Sequence, residues 1–352
     1  MRVLIVRLSS LGDVVHTIPV AVAIRRHYPD AVIDWVVDEA IAPLLAMVPV
    51  VNNVLVLRSR NVSTISAWLG LRRELQLRDY DIAFDVQGLI KSALVARFSG
   101  ATRVIGFTPP FLRESWAKWF YGEEADPGSP IHVVERNLGI LTALNINDKS
   151  YAFPFELEDI EVADKVYGCL GGRKDPFVLL NPNAAWANKC WPAESFGAVA
   201  AYIRDRHGLR TVVVWNSDSK EDEIRMNLVI ASSEGAAVPA PPTTLVELAS
   251  VIRMGVLFIS GDTGPLHIAG AMGTPVIGIY GPSNPERNGP WSSRDEVVSA
   301  SDECQCLKRY PNKGAVGVVR RCDNPTWCLD DVSVRDVCAA VDRILSGVFS
   351  DA

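Results

Sequence analysis

Three loops of the 352-residue chain carry residue types that can act together on a ligand. The first is Arg7-Leu-Ser9-Ser10-Leu-Gly12-Asp13, where an apolar strand ends and a helix is expected from Val14. Ligands of open α/β sheets bind beyond the carboxyl ends of the strands. Asp13 therefore lies where a carboxylate can act as general base towards a hydroxyl, and Gly12 is expected to let the backbone turn tightly. The plainer alternative is a helix N-terminal carboxylate favoured by the dipole. The second loop, Asn181 to Pro192, offers Lys189 and its backbone N–H groups to a nucleotide diphosphate; otherwise Lys189 is an exposed lysine in a turn anchored by Trp191. The third, Phe258-Ile-Ser-Gly261-Asp262-Thr263-Gly264-Pro265-Leu266-His267, leads from a strand into a helix with Pro265 in its first turn, where no N–H is needed. Such a helix N-terminus seats phosphate. His267 shares that turn, either against the ligand or packed on the loop Tyr280-Gly-Pro-Ser-Asn-Pro285. The absence of Gly-x-Gly-x-x-Gly argues against a nicotinamide enzyme.

The elements that must hold these loops alternate. Strands are expected at 3–6, 33–37, 53–57, 82–85 and 103–106, with helices at 16–27, 39–47, 68–77, 88–98 and 132–144. A second series follows, with strands at 177–180, 211–215, 256–260 and 276–280 and helices at 193–205, 221–231, 245–253, 265–272 and 333–345. Strands separated by helices of this length make parallel βαβ units, and right-handed crossovers wind them into α/β sheets. The Gly and Pro density near 168–176 places a boundary there. The expected domains are 1–168 and 169–332, both Rossmann-like, with a helix and tail at 333–352 opened by the N-cap Ser333 and Asp336.

The loops occur in a fixed order with further motifs. These are Met1-Arg-Val-Leu-Ile-Val, the stretch Ser9 to Pro19, Asp34 to Glu39, Asp85-Val-Gln-Gly-Leu-Ile-Lys-Ser92, Arg113-Glu114, Val134-Glu-Arg136, Lys189-x-Trp-Pro192, Asp262-Thr-Gly-x-x-His267 and Tyr280 to Pro285. Together they resemble glycosyltransferase family 9, the inverting two-domain enzymes that include the lipopolysaccharide heptosyltransferases. The resemblance implies a GT-B fold, two doubly wound Rossmann-like domains with an interdomain cleft, acceptor on the first and nucleotide-sugar on the second. It implies transfer of L-glycero-D-manno-heptose from ADP-heptose to Kdo of an immature lipid A core. Asp13 is then the base, and Lys189, the Asp262, Thr263 and Gly264 amides and the helix dipole stabilise the leaving diphosphate without a metal or other cofactor. His267 joins the donor site, and Glu221 lines up with a ribose-binding glutamate, Lys220 being its rival one residue away. Ser10, Gly12, Lys91 and Arg113 become acceptor-binding residues, with Arg58 and Arg60 as further basic candidates. A lipid-bearing acceptor implies peripheral docking at the inner leaflet of the inner membrane through basic side chains and Trp116, Trp119, Phe120 and Tyr121, unless that run is core. Ala184 and Ala185 replace hydroxyl residues of close relatives. Another acceptor, such as a second core heptose or a protein hydroxyl, and a non-catalytic nucleotide-binding role on the same scaffold are the alternatives.

Composition narrows the remaining classes. With 48% hydrophobic and 22% charged residues the chain is of globular type. A net charge of −6 argues against general nucleic-acid binding. The apolar run before Arg7 is too short for a signal peptide, and every long apolar stretch is cut before the roughly 18 residues a spanning helix needs, so a cytoplasmic location is expected. Seven cysteines without an export signal are expected to stay reduced. Cys304, Cys306, Cys322 and Cys328 either hold zinc or iron or sit as thiols in an ordered loop, at a spacing that is no standard zinc pattern.

Overall fold

The first strand, β1 (Arg2–Val6), has no polar residue after Arg2, and such a run is stable only where both faces of a strand are covered. In the computed structural model, which describes residues 1–58, 65–157, 162–305, 307, 322, 324 and 326–350, both faces are. Val3 and Ile5 pack with Ile33, Trp35 and Phe84 on one side, and Leu4 and Val6 with Val36, Leu55 and Ala83 on the other. Each side chain so buried contributes about 1.5–3 kcal/mol. β1 is flanked by β2 (Val32–Asp38), β3 (Asn53–Leu57), β4 (Ile82–Asp85), β5 (Arg103–Phe107) and β6 (Glu123–Ala125) in a sheet of order β3-β2-β1-β4-β5-β6, parallel throughout.

The second sheet repeats that order. Its strands are β7 (Phe177–Asn181), β8 (Arg210–Val213), β9 (Ala237–Pro239), β10 (Leu257–Gly261), β11 (Val276–Tyr280) and β12 (Glu296–Ser299), arranged β12-β11-β10-β7-β8-β9 and again parallel. Counted within each half, both sheets run third, second, first, fourth, fifth, sixth. The strand order therefore reverses between β1 and β4 in one and between β7 and β10 in the other, the points where doubly wound sheets take their ligands.

The two compact units are 1–157 and 158–352, so the division falls before the expected boundary at 168. The helix Val162–Cys169 belongs to the second unit, with Lys165 4.0 Å from Glu247. The glycines that suggested a linker end this helix instead: Gly171 and Gly172 take φ of 82° and 80°, and Gly172 N–H returns to the Tyr167 carbonyl at 2.8 Å. The C-terminal helix Val334–Ser350 is no separate tail, because Val337, Ala340, Val341 and Leu345 lie in the core of the second unit beside Phe196 and Ile203. Ser333 caps it through a 3.1 Å bond from Asp336 N–H. The helix expected over 39–47 shrinks to Ala42–Leu45, and that over 132–144 is α only at Val133–Leu138 before a 3-10 stretch to Leu144.

Candidate active site

At the first switch point the helix Leu11–Val15 begins directly after Ser10, its N-cap, so Gly12 is a buried helical residue and not the turn glycine expected of it. Asp13 is the third helical residue. Its Oδ2 accepts from Ser10 N–H at 3.2 Å and from Ser10 Oγ at 3.0 Å, the reciprocal of an N-cap. Capping is only part of its environment. Arg7 Nη2 lies 2.7 Å from Oδ1, and Arg113 Nη2 donates to Oδ2 at 2.8 Å, so both carboxylate oxygens rest on guanidinium groups. The Asp13 side chain is 13% exposed and that of Arg113 27%, whereas Arg7 is fully buried.

Arg113 reaches Asp13 because its neighbour is pinned to the turn after β4. Glu114 N–H donates to the Gly88 carbonyl at 3.0 Å, and Glu114 Oε2 accepts from Ile90 N–H at 2.7 Å. Gly88 has φ +72°, and a Cβ there would meet Leu112 at 3.1 Å, so the position requires glycine. Buried Asp85 ties the turn down, accepting from Gln87 N–H, Gly88 N–H, Ser92 Oγ and Tyr121 Oη at 2.9, 3.2, 3.0 and 2.7 Å. Burial pushes the Asp85 carboxyl up against the pull of these donors. Lys91, half-buried, follows in the first turn of the helix Ile90–Phe98. Ser10, Asp13 and Arg113 thus form one network, with Gly12 and Lys91 on the same sheet edge. Arg58 is exposed and 3.6 Å from Glu39; Arg60 lies outside the described residues. Trp116 and Trp119 are 69% and 70% exposed, Lys118 sits over the Trp119 ring, and Phe120 and Tyr121 pack on the core.

At the second switch point Lys189, on the loop after β7, meets Asp262, on the loop after β10. Gly261 permits this approach, since a Cβ there would stand 2.9 Å from the Lys189 carbonyl. Lys189 Nζ donates to Asp262 Oδ2 and, at 3.3 Å, to the Asp262 carbonyl. The Asp262 carboxylate also accepts from His267 Nε2 at 3.1 Å and Asn288 Nδ2 at 2.7 Å. Burial opposes the Asp262 charge, but Lys189 and His267 outweigh it and hold the carboxyl well below the usual carboxylate range. Lys189 is therefore no exposed turn lysine, and the His267 ring is turned inward on Asp262. Asn288 lies just past the 280–285 loop, with Tyr280 Oη donating to its carbonyl at 3.2 Å.

Thr263 caps the helix Gly264–Ala271. Its Oγ1 takes Leu266 N–H, its carbonyl takes His267 N–H, and Asn181 Nδ2 donates to its hydroxyl at 3.2 Å. With those N–H groups engaged and none on Pro265, an anion seated here would draw on the Thr263 and Gly264 amides. Glu221 and Lys220 are exposed at the start of the helix Lys220–Ser232 after β8; among the described residues no hydrogen bond or ion pair joins either to Lys189 or Asp262. The Cys328 thiol is raised well above its ordinary range by its hydrogen bond with Cys304 and by burial. Among the described residues no group of three or more potential ligands is placed to hold a metal ion, and Cys306 lies outside them. Two residues of these networks were not singled out from the sequence: Arg7, whose signal is a cation closing an apolar strand, and Asn288, which has none.

Comparison with known proteins bears on the fold and the family. The family model described as glycosyltransferase family 9 (heptosyltransferase) matches residues 68–314. The chain is 31% identical over 319 residues to lipopolysaccharide heptosyltransferase 1 of Pseudomonas aeruginosa, covering 88% of this chain and 87% of that protein. It is 29% identical over 348 residues to lipopolysaccharide heptosyltransferase 3 of Escherichia coli K12, covering 95% of each. A solved E. coli heptosyltransferase with ADP matches the fold with a TM-score of 0.76 at 24% identity, over 98% of this chain and 100% of that one. Among the described residues no helix is long and apolar enough to cross a membrane. Two doubly wound sheets in the GT-B manner, a family match over most of the chain and full-length likeness to these relatives place it in glycosyltransferase family 9, as a heptosyltransferase of lipopolysaccharide synthesis.

Proposed function

We propose that this enzyme transfers L-glycero-D-manno-heptose from ADP-heptose to a Kdo hydroxyl of the lipopolysaccharide inner core, with inversion and with Asp13 as the general base. The observation that carries it is Asp13 itself: a part-exposed carboxylate at the first switch point, beside a cation, Arg113, suited to an anionic acceptor. In the reaction Asp13 takes the proton of the attacking hydroxyl as its oxygen bonds to the anomeric carbon. The bond from that carbon to the phosphate oxygen breaks with its electron pair leaving on ADP. A single displacement inverts the centre.

The second unit would hold the leaving group. An ammonium has three N–H donors, and Lys189 directs two at Asp262, which leaves one for a diphosphate oxygen. Because the Lys189–Asp262 pair is neutral, hydrogen bonds and the helix dipole would do most of the stabilising. This assignment calls for no divalent cation, and turnover is expected to survive EDTA. Glu221 is the ribose partner in this scheme, and Lys91 joins Arg113 on the acceptor. Exposed Trp116 and Trp119 beside Lys118 support peripheral docking at the inner leaflet of the inner membrane, which co-sedimentation with anionic vesicles checks.

The deciding assay offers ADP-heptose and Kdo₂-lipid A to the wild type and to Asp13→Asn. Full activity in the variant would overturn the base. Wild-type turnover only with an already heptosylated core would move the acceptor to a core heptose.

A further inference from the structure

Arg7 has no part in the chemistry above, yet its guanidinium is completely buried. Taking a cation out of water costs several kcal/mol unless it is paired, and this pairing is with the reacting carboxylate. Nη1 donates to the Val86 carbonyl, at the end of β4, while Nη2 stands 2.7 Å from Asp13 Oδ1. The contact to Asp13 is thus a buried ion pair, with the other guanidinium nitrogen held by the Val86 carbonyl. The guanidinium spans β1 and β4 at their carboxyl ends and carries the position of the sheet to Asp13.

The two oxygens of Asp13 then differ. Oδ1 faces a cation locked in the core. Oδ2 faces Ser10 and Arg113, and Arg113 is part-exposed on a segment outside the sheet. A partner that water already reaches can be replaced; one fixed in the core cannot. We propose that Arg7 is a positioning residue that immobilises Asp13 through Oδ1 and leaves Oδ2 as the oxygen that accepts the acceptor's proton. This rests on Asp13 being the base. Among the described residues, charged groups facing Asp13 include Arg7 from the end of β1 and Arg113 from the segment pinned to the β4 turn, with Asp85 acting on Arg7 from the end of β4.

The test measures kcat against pH, KM for ADP-heptose and ADP affinity for Arg7→Met, Arg7→Lys and Asp13→Asn in the full chain. Arg7→Met is expected to lower kcat about 10²-fold, as a misplaced catalytic group does, and to move the acidic limb of the profile to higher pH, because a carboxylate without its cation protonates sooner. ADP affinity and the donor KM should hold. Arg7→Lys keeps the charge but loses the fork that spans Val86 and Asp13, so its acidic limb should stay in place while kcat falls several-fold. Wild-type kcat and limb in Arg7→Met, beside an inactive Asp13→Asn, overturn the positioning role and leave the base intact. An active Asp13→Asn removes the base itself. Should Arg7→Met fail to bind ADP, Arg7→Lys decides, and wild-type kcat there overturns the proposal.

Discussion

The two switch points share a strand order and oppose each other in chemistry. In the first unit a carboxylate is held between two arginines, one of them part-exposed; in the second a lysine and a carboxylate face each other in the interior, with His267 and Asn288 completing the set. The first arrangement is open, since Arg113 can turn to an incoming anion at little cost. The second is closed: Asp262 has its partners in the fold, and losing the Lys189 cation leaves a buried charge unpaired. One topology thus provides a part-open carboxylate in one half and a closed ion pair in the other. The difference comes from solvent access to the partners, not from the residue types, which are an acid and its bases in both.

The largest expected effect is at the first switch point. Asp13→Asn should reduce kcat by roughly 10² to 10⁴ with ADP affinity unchanged by calorimetry, and a comparable fall in ADP affinity would mean that the two halves are not so divided. Next, Lys189→Met should cost about 3–5 kcal/mol of stability in denaturant unfolding, because Asp262 is left buried without its cation. Arg113→Met removes an ion pair whose two members are both part-exposed and should cost under about 1 kcal/mol while raising the acceptor KM roughly tenfold. Equal destabilisation by the two would break the comparison.

Acid sharpens it further. The Asp262 carboxyl is depressed in the folded chain, so its contribution is complete above the unfolded value of about 4 and is lost as pH falls below it. Acid unfolding of wild type between about pH 5 and 2 should therefore be steeper than that of Lys189→Met, whose Asp262 no longer has the cation to lose. His267→Ala should cost about 1 kcal/mol in denaturant unfolding, one hydrogen bond to a carboxylate that keeps two other partners, and leave ADP-heptose turnover the least changed of these variants.

The loops were legible where the signal is local. Val3–Val6, Phe177–Leu180 and Phe258–Ser260 announce buried strands by composition, and the residues after them must lie at the carboxyl edge of a sheet. Thr263-Gly-Pro announces a helix start by its capping chemistry. The strands β6, β9 and β12 were not legible, because three or four residues such as Glu123-Glu-Ala125 carry too little pattern to stand out. Gly12 misled for a related reason: a glycine before a helix suggests a turn, but Ser10 and Asp13 cap each other and start the helix ahead of it. Gly171 and Gly172 misled in the opposite sense, ending a helix where a linker was expected.

Residue order alone therefore determined the alternation of strand and helix, the doubly wound class and the placing of three polar loops at the carboxyl ends of strands, since each follows from burial or capping within a few neighbouring positions. Pairing was decided only in three dimensions. Arg113 meets Asp13 across 100 positions of chain and Lys189 meets Asp262 across 73, and both encounters exist because strand order sets the first strand of each unit beside the fourth. The charge state and freedom of a side chain depend on what stands within about 4 Å of it and on whether water reaches it too, and neither is a property of its place along the chain.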